Sequence, residues 1–417
     1  MRHYQAVVVG GGSAGLSAAV TLKEQGIEDI CVLEKDLEAG GILQQCIHNG
    51  FGLQTFHEQL SGPAYAERFI QMAEAHHVEI KLRTMVTAID QDRHVTFVNE
   101  DGYQTVSADT VILGVGCYER SRGGIDIAGT RPSGIYTAGQ AQRYLNIDGY
   151  MVGRKVFILG SGDIGLIMAR RMTLEGAKVY GVAEIMPYSN GLPRNMKQCL
   201  EDYEIPLYLS HTVTRTFGKE RLEKIEVMEV GADRKPIPGT EMYFDVDTLL
   251  LSVGLIPENS LAEHAGIAID PAIRGLYVDE NYMTQAEGIF ACGNGLHVHD
   301  LVDFVTLQAQ RAAQGAARFI RKDVPSKAVH RASAGDGVSY VVPQYFHSDT
   351  KQNTEFFFRV RRPMKDVDLV VKCGERELRR IHKKHLVPSE MERLMIPAAQ
   401  LQAAGQDIVF AVEGAAS

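Results

Sequence analysis

Cysteines are few in this chain, and no two of them stand at a working spacing. The six, at positions 31, 46, 117, 199, 292 and 373 of 417, include no Cys-x-x-Cys and no metal-type cluster. No disulfide framework and no bound metal are therefore expected, and a reducing, cytoplasmic compartment suits the thiols. Long apolar runs are missing too, so no membrane span is expected. The apolar run near the N-terminus is short and enters a glycine turn, which reads as a strand and not as a signal peptide. Positive charge is not in excess. The 43 Lys and Arg against 52 Asp and Glu leave a formal charge of −9, which argues against nucleic acid as a general partner. The length suits two or three domains.

What is present is one design written twice. The first copy runs Ala6-Val7-Val8-Val9-Gly10-Gly11-Gly12-Ser13-Ala14-Gly15. An apolar β-branched strand feeds a tight turn, and a helix over Leu16 to Leu22 follows. Gly10 permits the turn, Gly12 lets a pyrophosphate approach the backbone, and Gly15 lets helix pack closely on strand. The free N–H groups and positive end of that helix then face the phosphates. A second strand, Ile30 to Leu33, ends at Glu34, nineteen residues after Gly15, where a carboxylate can accept ribose hydroxyls. The second copy is Val156-Phe157-Ile158-Leu159-Gly160-Ser161-Gly162-Asp163-Ile164-Gly165, followed by a helix to Leu174, a strand Lys178 to Ala183, and Glu184 at the same nineteen-residue spacing. A single glycine triplet is weak; two with matched surroundings predict that the chain binds two dinucleotides.

Between and beyond these copies the chain reads as follows. A glycine-bounded loop, Ala39 to Gly52, returns towards the first turn. Gly62-Pro63 opens a helix to about His77, and an antiparallel meander covers Val86 to Val106. Thr110 to Gly116 is a buried strand ending in glycines, and Tyr118 to Gly153 reads as a linking segment. Strands are expected near Leu207 to Leu209, Leu222 to Val230 and Thr248 to Gly254. Ile289 to Asn294 leads into a long helix from near Val305 to about Ile320. Past Val324-Pro325, strands such as Val338 to Val342 and Glu355 to Val360 suggest a small β-rich domain.

Taken together these motifs resemble the two-dinucleotide flavoproteins, the pyridine nucleotide-disulfide oxidoreductases, over about residues 4 to 320, and the thioredoxin reductase-like branch within them. The resemblance implies an α/β fold of two Rossmann-like, three-layer domains, the NAD domain inserted in the FAD domain, plus the β-rich C-terminal domain. Its boundaries fall at 1–117 and 249–325 for FAD, 118–248 for NAD(P), and 326–417 for the remainder. The FAD-side residues it implies are Gly10, Gly12, Ser13, Ala14, Gly15, Glu34, Lys35, Gly41, Ile42, Val86, Gly114, Gly293 and Asn294; the NAD side has Gly160, Gly162, Asp163, Ile164, Gly165, Glu184 and Gly254. Two departures matter. The stretch Ile135 to Arg143, where thioredoxin reductases carry their redox Cys-x-x-Cys, has no cysteine, so dithiol exchange there is excluded. Asn294 replaces the usual aspartate and brings no charge. The Thr137 to Arg143 stretch is similar to subunits of opine, sarcosine and cyanide-forming amine oxidoreductases. Gly41 to Gly52 and Gly293 to Asp303 are similar to a bacterial NAD(P)/FAD-dependent group that accompanies a glycerol-3-phosphate-dehydrogenase-like flavoprotein and a small cysteine-rich electron carrier.

The chemistry implied is hydride transfer between NAD(H) and FAD, which the cofactors carry and the protein positions. A helix N-terminus near the flavin would favour the negative charge of its reduced form, placing Asp303, Phe304 and Val305 nearest that end. Glu184, with no basic residue following until Arg194, favours NADH over NADPH by repelling a 2′-phosphate. His297, His299 and Asp300 read either as a proton-exchange group or as a hydrogen-bonded loop lock. Cys46 beside His48 reads either as a thiol relay or as a packing residue. The run Arg359 to His385, with ten Lys or Arg and four Asp or Glu, reads as an acidic-partner surface or a solvated face. The expectation is an FAD-dependent NAD(P)H oxidoreductase, oligomeric, passing electrons to a companion flavoprotein or a small-molecule substrate. A self-contained amine or imino-acid dehydrogenase and a non-catalytic nucleotide-loaded subunit are the alternatives.

Overall fold

A computed structural model describes residues 1–323 and 329–414. The chain divides into two compact units, residues 1–117 with 257 onward, and residues 118–256.

In the first unit the apolar strand His3–Val9 lies between Ile30–Leu33 and the long strand Gly102–Leu113, parallel to both. Glu79–Lys81 extends one edge, and Ile289–Ala291 pairs with the far end of the long strand. That strand has two characters. Its first half is part-exposed and pairs antiparallel with His94–Asn99, completing the meander; its last four residues, Thr110 to Leu113, are buried on both faces. Alternation in one half and continuous burial in the other is what a strand passing from a one-sided to a covered sheet requires. The helix Ser13–Glu24 packs against the long helix Val302–Ile320. The latter turns a face of small residues inward, among them Ala309, Ala312, Ala313 and Ala316, and small side chains let helices approach closely.

The C-terminal strands form a five-stranded and a three-stranded sheet over their own apolar core, which includes Phe346, Phe356, Phe358 and Phe410. This region is β-rich as expected, but it clusters with the first unit instead of standing apart. The expected boundary at 325/326 lies outside the described residues.

The second unit is a five-stranded parallel sheet in the order Ile135–Thr137, Thr248–Leu251, Lys155–Leu159, Lys178–Glu184, Leu207–Leu209. Two expectations are corrected here. Thr248–Leu251 was assigned to the resumed first domain at 249, but it is paired on both sides within this sheet, so the second unit runs on to 256. The supposed linker 118–153 supplies the edge strand Ile135–Thr137 and the helix Ala138–Asn146, whose N-terminus is capped by the Thr137 hydroxyl. A four-stranded sheet built around His211–Gly218 and Leu222–Glu229 completes the unit; the first of these strands was not foreseen.

Candidate nucleotide sites

The two glycine turns have the same construction. Gly10 and Gly160 hold φ of 101° and 95°, the region where L side chains are strained. A Cβ on Gly10 would stand 2.5 Å from the carbonyl oxygen of Gly114, and one on Gly160 would stand 2.0 Å from that of Ser252. Gly114 and Ser252 therefore occupy equivalent places beside the turns. A Cβ on Gly15 would lie 1.7 Å from the Gly10 oxygen, and one on Gly165 would lie 2.7 Å from the Ser252 Cβ. These glycines serve the packing of helix on strand.

Gly12 differs. A Cβ there would meet only the Gly41 Cα, at 3.9 Å, so the protein itself leaves room that the sequence does not fill. Gly12 and Gly162 cap their helices with extended backbone and no side-chain hydrogen bond. Helix geometry leaves first-turn N–H groups unpaired; neither cap glycine supplies an acceptor, and at the second turn the Ser252 hydroxyl accepts the Gly165 N–H at 3.1 Å. Each acidic residue braces its own turn. Glu34 accepts the Gly11 N–H at 2.6 Å and the Asp36 N–H at 2.8 Å, one on each oxygen. Glu184 accepts the Ser161 N–H at 2.9 Å and the Met186 N–H at 2.9 Å in the same way, and adds the Ser161 hydroxyl at 2.6 Å. An ionised carboxylate has about four acceptor positions, so each retains capacity for ribose hydroxyls. The donor set at each turn fits a dinucleotide pyrophosphate and ribose; the cradle is open at Gly12, whereas a Cβ on Gly162 would meet the Ser252 hydroxyl at 3.1 Å.

Around the first turn the other expected residues gather. Gly40 donates its N–H to the Gly11 oxygen at 2.8 Å, and a Cβ on Gly41 would lie 3.1 Å from the Gly12 Cα. Ile42 beside them is 63% exposed, and Lys35 is exposed. Val86 is buried two residues beyond Thr84, whose N–H bonds the Glu34 oxygen. A Cβ on Gly293 would stand 2.9 Å from Ala14 and 3.1 Å from Val305, which fixes that turn beside the first helix. Asn294 uses its amide oxygen to accept the His299 N–H at 3.0 Å.

At the second turn, Asp163 accepts the Leu192 N–H at 2.9 Å and the Asn195 amide at 2.6 Å. Asn190 donates its N–H to the Ser161 hydroxyl at 2.9 Å. The loop after Glu184 is thereby tied to the helix start, beside Gly162 and the part-buried Ile164. Gly254, at φ 104°, has open space where a Cβ would be.

Several expected roles are revised. The long helix starts at Val302, three residues earlier than expected, which puts Asp303 in its first turn. The buried Asp303 carboxylate accepts the N–H groups of Gly52, Gln54 and Thr55 at 3.2, 3.2 and 2.8 Å, so it orders that loop. Phe304 lies under the Arg393 guanidinium, 3.9 Å from its ring centre, and Val305 is the member of the trio packed on Gly293.

His297, His299 and Asp300 form a lock. Gln308, fully buried on the long helix, accepts the Gly293 N–H at 2.7 Å. A backbone N–H can only donate, so the Gln308 atom it meets is the oxygen. That oxygen also accepts from His299 Nε2 at 3.1 Å, and the Gln308 amide donates to His297 Nε2 at 2.8 Å. The two histidines are held as opposite neutral tautomers, with Phe357 packed against both rings. Desolvation, with its neighbours His299 and Arg359, pushes His297 well below its ordinary range; burial brings His299 to about 4. Asp300 pairs with Arg359 and accepts the Met391 N–H at 2.6 Å. Arg359 in turn donates to the carbonyls of Val298, Pro388 and Ser389. The loop is the seam to which the C-terminal sheets are fastened. Cys46 donates its thiol to the Ile42 oxygen at 3.3 Å, and desolvation pushes it up to about 12. Burial of this kind is what the packing reading of Cys46 expects.

Gln308 and Arg359 were missed as site-building residues. The signal for Gln308 is a glutamine on a buried stripe rich in alanine; Arg359 was hidden in the basic run.

Comparison with known proteins agrees with this construction. The family profile described as pyridine nucleotide-disulphide oxidoreductase matches residues 4–316. The chain is 23% identical over 336 residues to the hydrogen cyanide synthase subunit HcnB of Pseudomonas protegens, covering 75% of this chain and 68% of that one. It is 25% identical to an NADH oxidase of Methanocaldococcus jannaschii, covering 78% and 69%. It is also 25% identical to the ferredoxin–NAD(+) reductase subunit of the benzene 1,2-dioxygenase system of Pseudomonas putida, covering 75% and 73%. Among solved structures, the thioredoxin reductase of T. acidophilum superposes with a TM-score of 0.63 at 23% identity, over 76% of this chain and 98% of that one. The chain belongs to the pyridine nucleotide-disulphide oxidoreductase family and is an FAD-dependent NAD(P)H oxidoreductase.

Proposed function

We propose that the chain moves reducing equivalents between NADH and FAD and exchanges them with a partner protein or small molecule without using a sulfur pair. The observation that carries this reading is the helix Ala138–Asn146. The redox dithiol of the resembling thioredoxin reductases would precede the second glycine motif here, and this segment contains no cysteine. The six cysteines are scattered, with no Cys-x-x-Cys among them, which suits a cytoplasmic setting. Bound FAD supplies the hydride-accepting ring and the capacity to release electrons onward. The chain's own work is to hold and exclude. The helix N-termini at Gly12 and Gly162 hold pyrophosphates, Glu34 and Glu184 hold ribose hydroxyls, and the buried histidine seam keeps water from the Gly293 turn.

Glu184 supports NADH over NADPH, because its carboxylate, 3% exposed, would repel a 2′-phosphate. Several relatives are named as subunits of multi-protein systems, which supports a companion protein as partner; the resemblance of Gly41 to Gly52 and Gly293 to Asp303 suggests a flavoprotein, with a small cysteine-rich carrier. Anaerobic addition of NADH should bleach the flavin, whereas an amine or imino acid should not. Bleaching by the amine alone would favour the self-contained dehydrogenase, and bleaching by neither would favour a non-catalytic subunit.

A further inference from the structure

Among the described residues, one trio of metal-ligating side chains converges away from the nucleotide turns: Asp279, Glu280 and His347. The two acids lie on the turn that leads towards Ile289–Ala291, and His347 ends the strand Tyr345–His347 of the C-terminal sheet. Their donor atoms all lie within 4.8 Å of one another. His347 Nδ1 stands 3.1 Å from Glu280 Oε2 and 3.8 Å from Asp279 Oδ2. Tetrahedral ligands bonded at about 2.0–2.1 Å are about 3.3–3.4 Å apart, and the two measured separations bracket that spacing.

Burial and charge agree with the geometry. The Glu280 and Asp279 side chains are 1% and 9% exposed, and that of His347 is 13% exposed. Buried charges need partners or a metal. Asp279 commits one oxygen to the N–H groups of Asn281 and Met283, at 2.8 and 3.0 Å, which leaves the other turned to His347. Arg318 is bonded to the Asn281 amide oxygen at 2.5 Å. A polar cavity of about 110 Å³ adjoins the trio on the Glu280 side, lined also by Tyr282, Arg311 and Thr354 but not by Asp279 or His347. Such a cavity has room for several waters, as an ion with three protein ligands requires.

We propose that Asp279, Glu280 and His347 bind one divalent transition-metal ion of the zinc type, with water completing the shell, and that the ion clasps the C-terminal sheet to the turn preceding Ile289–Ala291. Binding replaces the Nδ1 proton of His347, which passes to solvent. Without the ion, the His347 ring Nδ1 and backbone N–H each stand 3.1 Å from Glu280 Oε2 as hydrogen-bond donors.

The test uses the full-length, flavin-loaded protein after dialysis against a chelator, titrated with Zn²⁺ by calorimetry in two buffers of different ionisation enthalpy. One equivalent should bind with net proton release. Co²⁺ in its place should give d–d absorption with no sulfur-to-metal band. Glu280→Gln and His347→Gln should each abolish binding while flavin content is unchanged. No binding to the wild-type protein, a sulfur-to-metal band, or undiminished binding in both variants would overturn the proposal. The wild-type readouts decide it even if a variant fails to fold.

Discussion

Glycines in one turn can do different work, and the structure separates them residue by residue. At Gly12 an added methyl meets only the Gly41 Cα at 3.9 Å. Gly12→Ala should therefore fold with little change in thermal midpoint yet purify largely without flavin; retention of stoichiometric flavin would remove Gly12 from the phosphate site. Gly15→Ala places its methyl 1.7 Å from the Gly10 oxygen, and should instead yield little folded protein. Glu184→Gln should narrow the preference for NADH over NADPH about tenfold or more, corresponding to about 1.4 kcal/mol of lost charge repulsion. The ratio of the two kcat/KM values reads this out, and an unchanged ratio assigns the preference elsewhere. Because Glu184 also braces Ser161, the thermal midpoint of that variant must be recorded beside its kinetics.

At the scale of elements, the seam formed by the 297–300 loop and the Val302–Ile320 helix governs stability. Gln308→Leu would leave the Gly293 N–H and two histidine nitrogens without partners, at about 1–3 kcal/mol for each unsatisfied buried group. Its thermal midpoint should fall by several degrees or more, with no loss of NADH affinity; an unchanged midpoint would contradict the lock. The histidines also set a pH dependence. In the folded protein His299 titrates at about 4, below an unfolded value of about 6.5, so the unfolded chain binds more protons between these limits. Stability is complete above pH 6.5 and declines as pH falls towards 4, by roughly 2 kcal/mol at pH 5 for His299 alone. Denaturant midpoints measured from pH 7.5 to 5 should show this slope, reduced in the His297→Gln, His299→Gln double variant; equal slopes would contradict it.

Both glycine turns, their strands and their acidic ends were legible in the sequence because local chemistry fixes them: backbone φ, helix capping and strand burial lie within a few dozen residues. The sequence offered a loop lock and a proton-exchange group for His297 and His299 without deciding between them, and gave no sign that Asp303 orders a loop, since these roles depend on Gln308, Arg359 and the 52–55 loop, partners brought together only by tertiary packing. Thr248–Leu251 was misplaced for a related reason. An all-apolar strand satisfies any covered parallel sheet, and its sequence does not say which one.

Considered whole, the molecule is one nucleotide-binding unit carried within the sequence of another, with C-terminal sheets fastened to the outer unit. Its acidic balance of −9 contrasts with the strand Arg376–Leu386, which carries five Lys or Arg at 376, 379, 380, 383 and 384. Arg380 is already paired with Glu377, Asp368 and Glu413, so much of this charge is balanced within the chain. The central claim is that electrons pass between nicotinamide and flavin with no sulfur pair storing them. Its most direct test is an anaerobic NADH titration of the flavin-loaded protein before and after reduction, alkylation of the accessible thiols and reoxidation of the flavin. The account predicts full bleaching at one NADH per flavin in both samples. A requirement for two equivalents that alkylation lowers to one, or no bleaching at all, would contradict it.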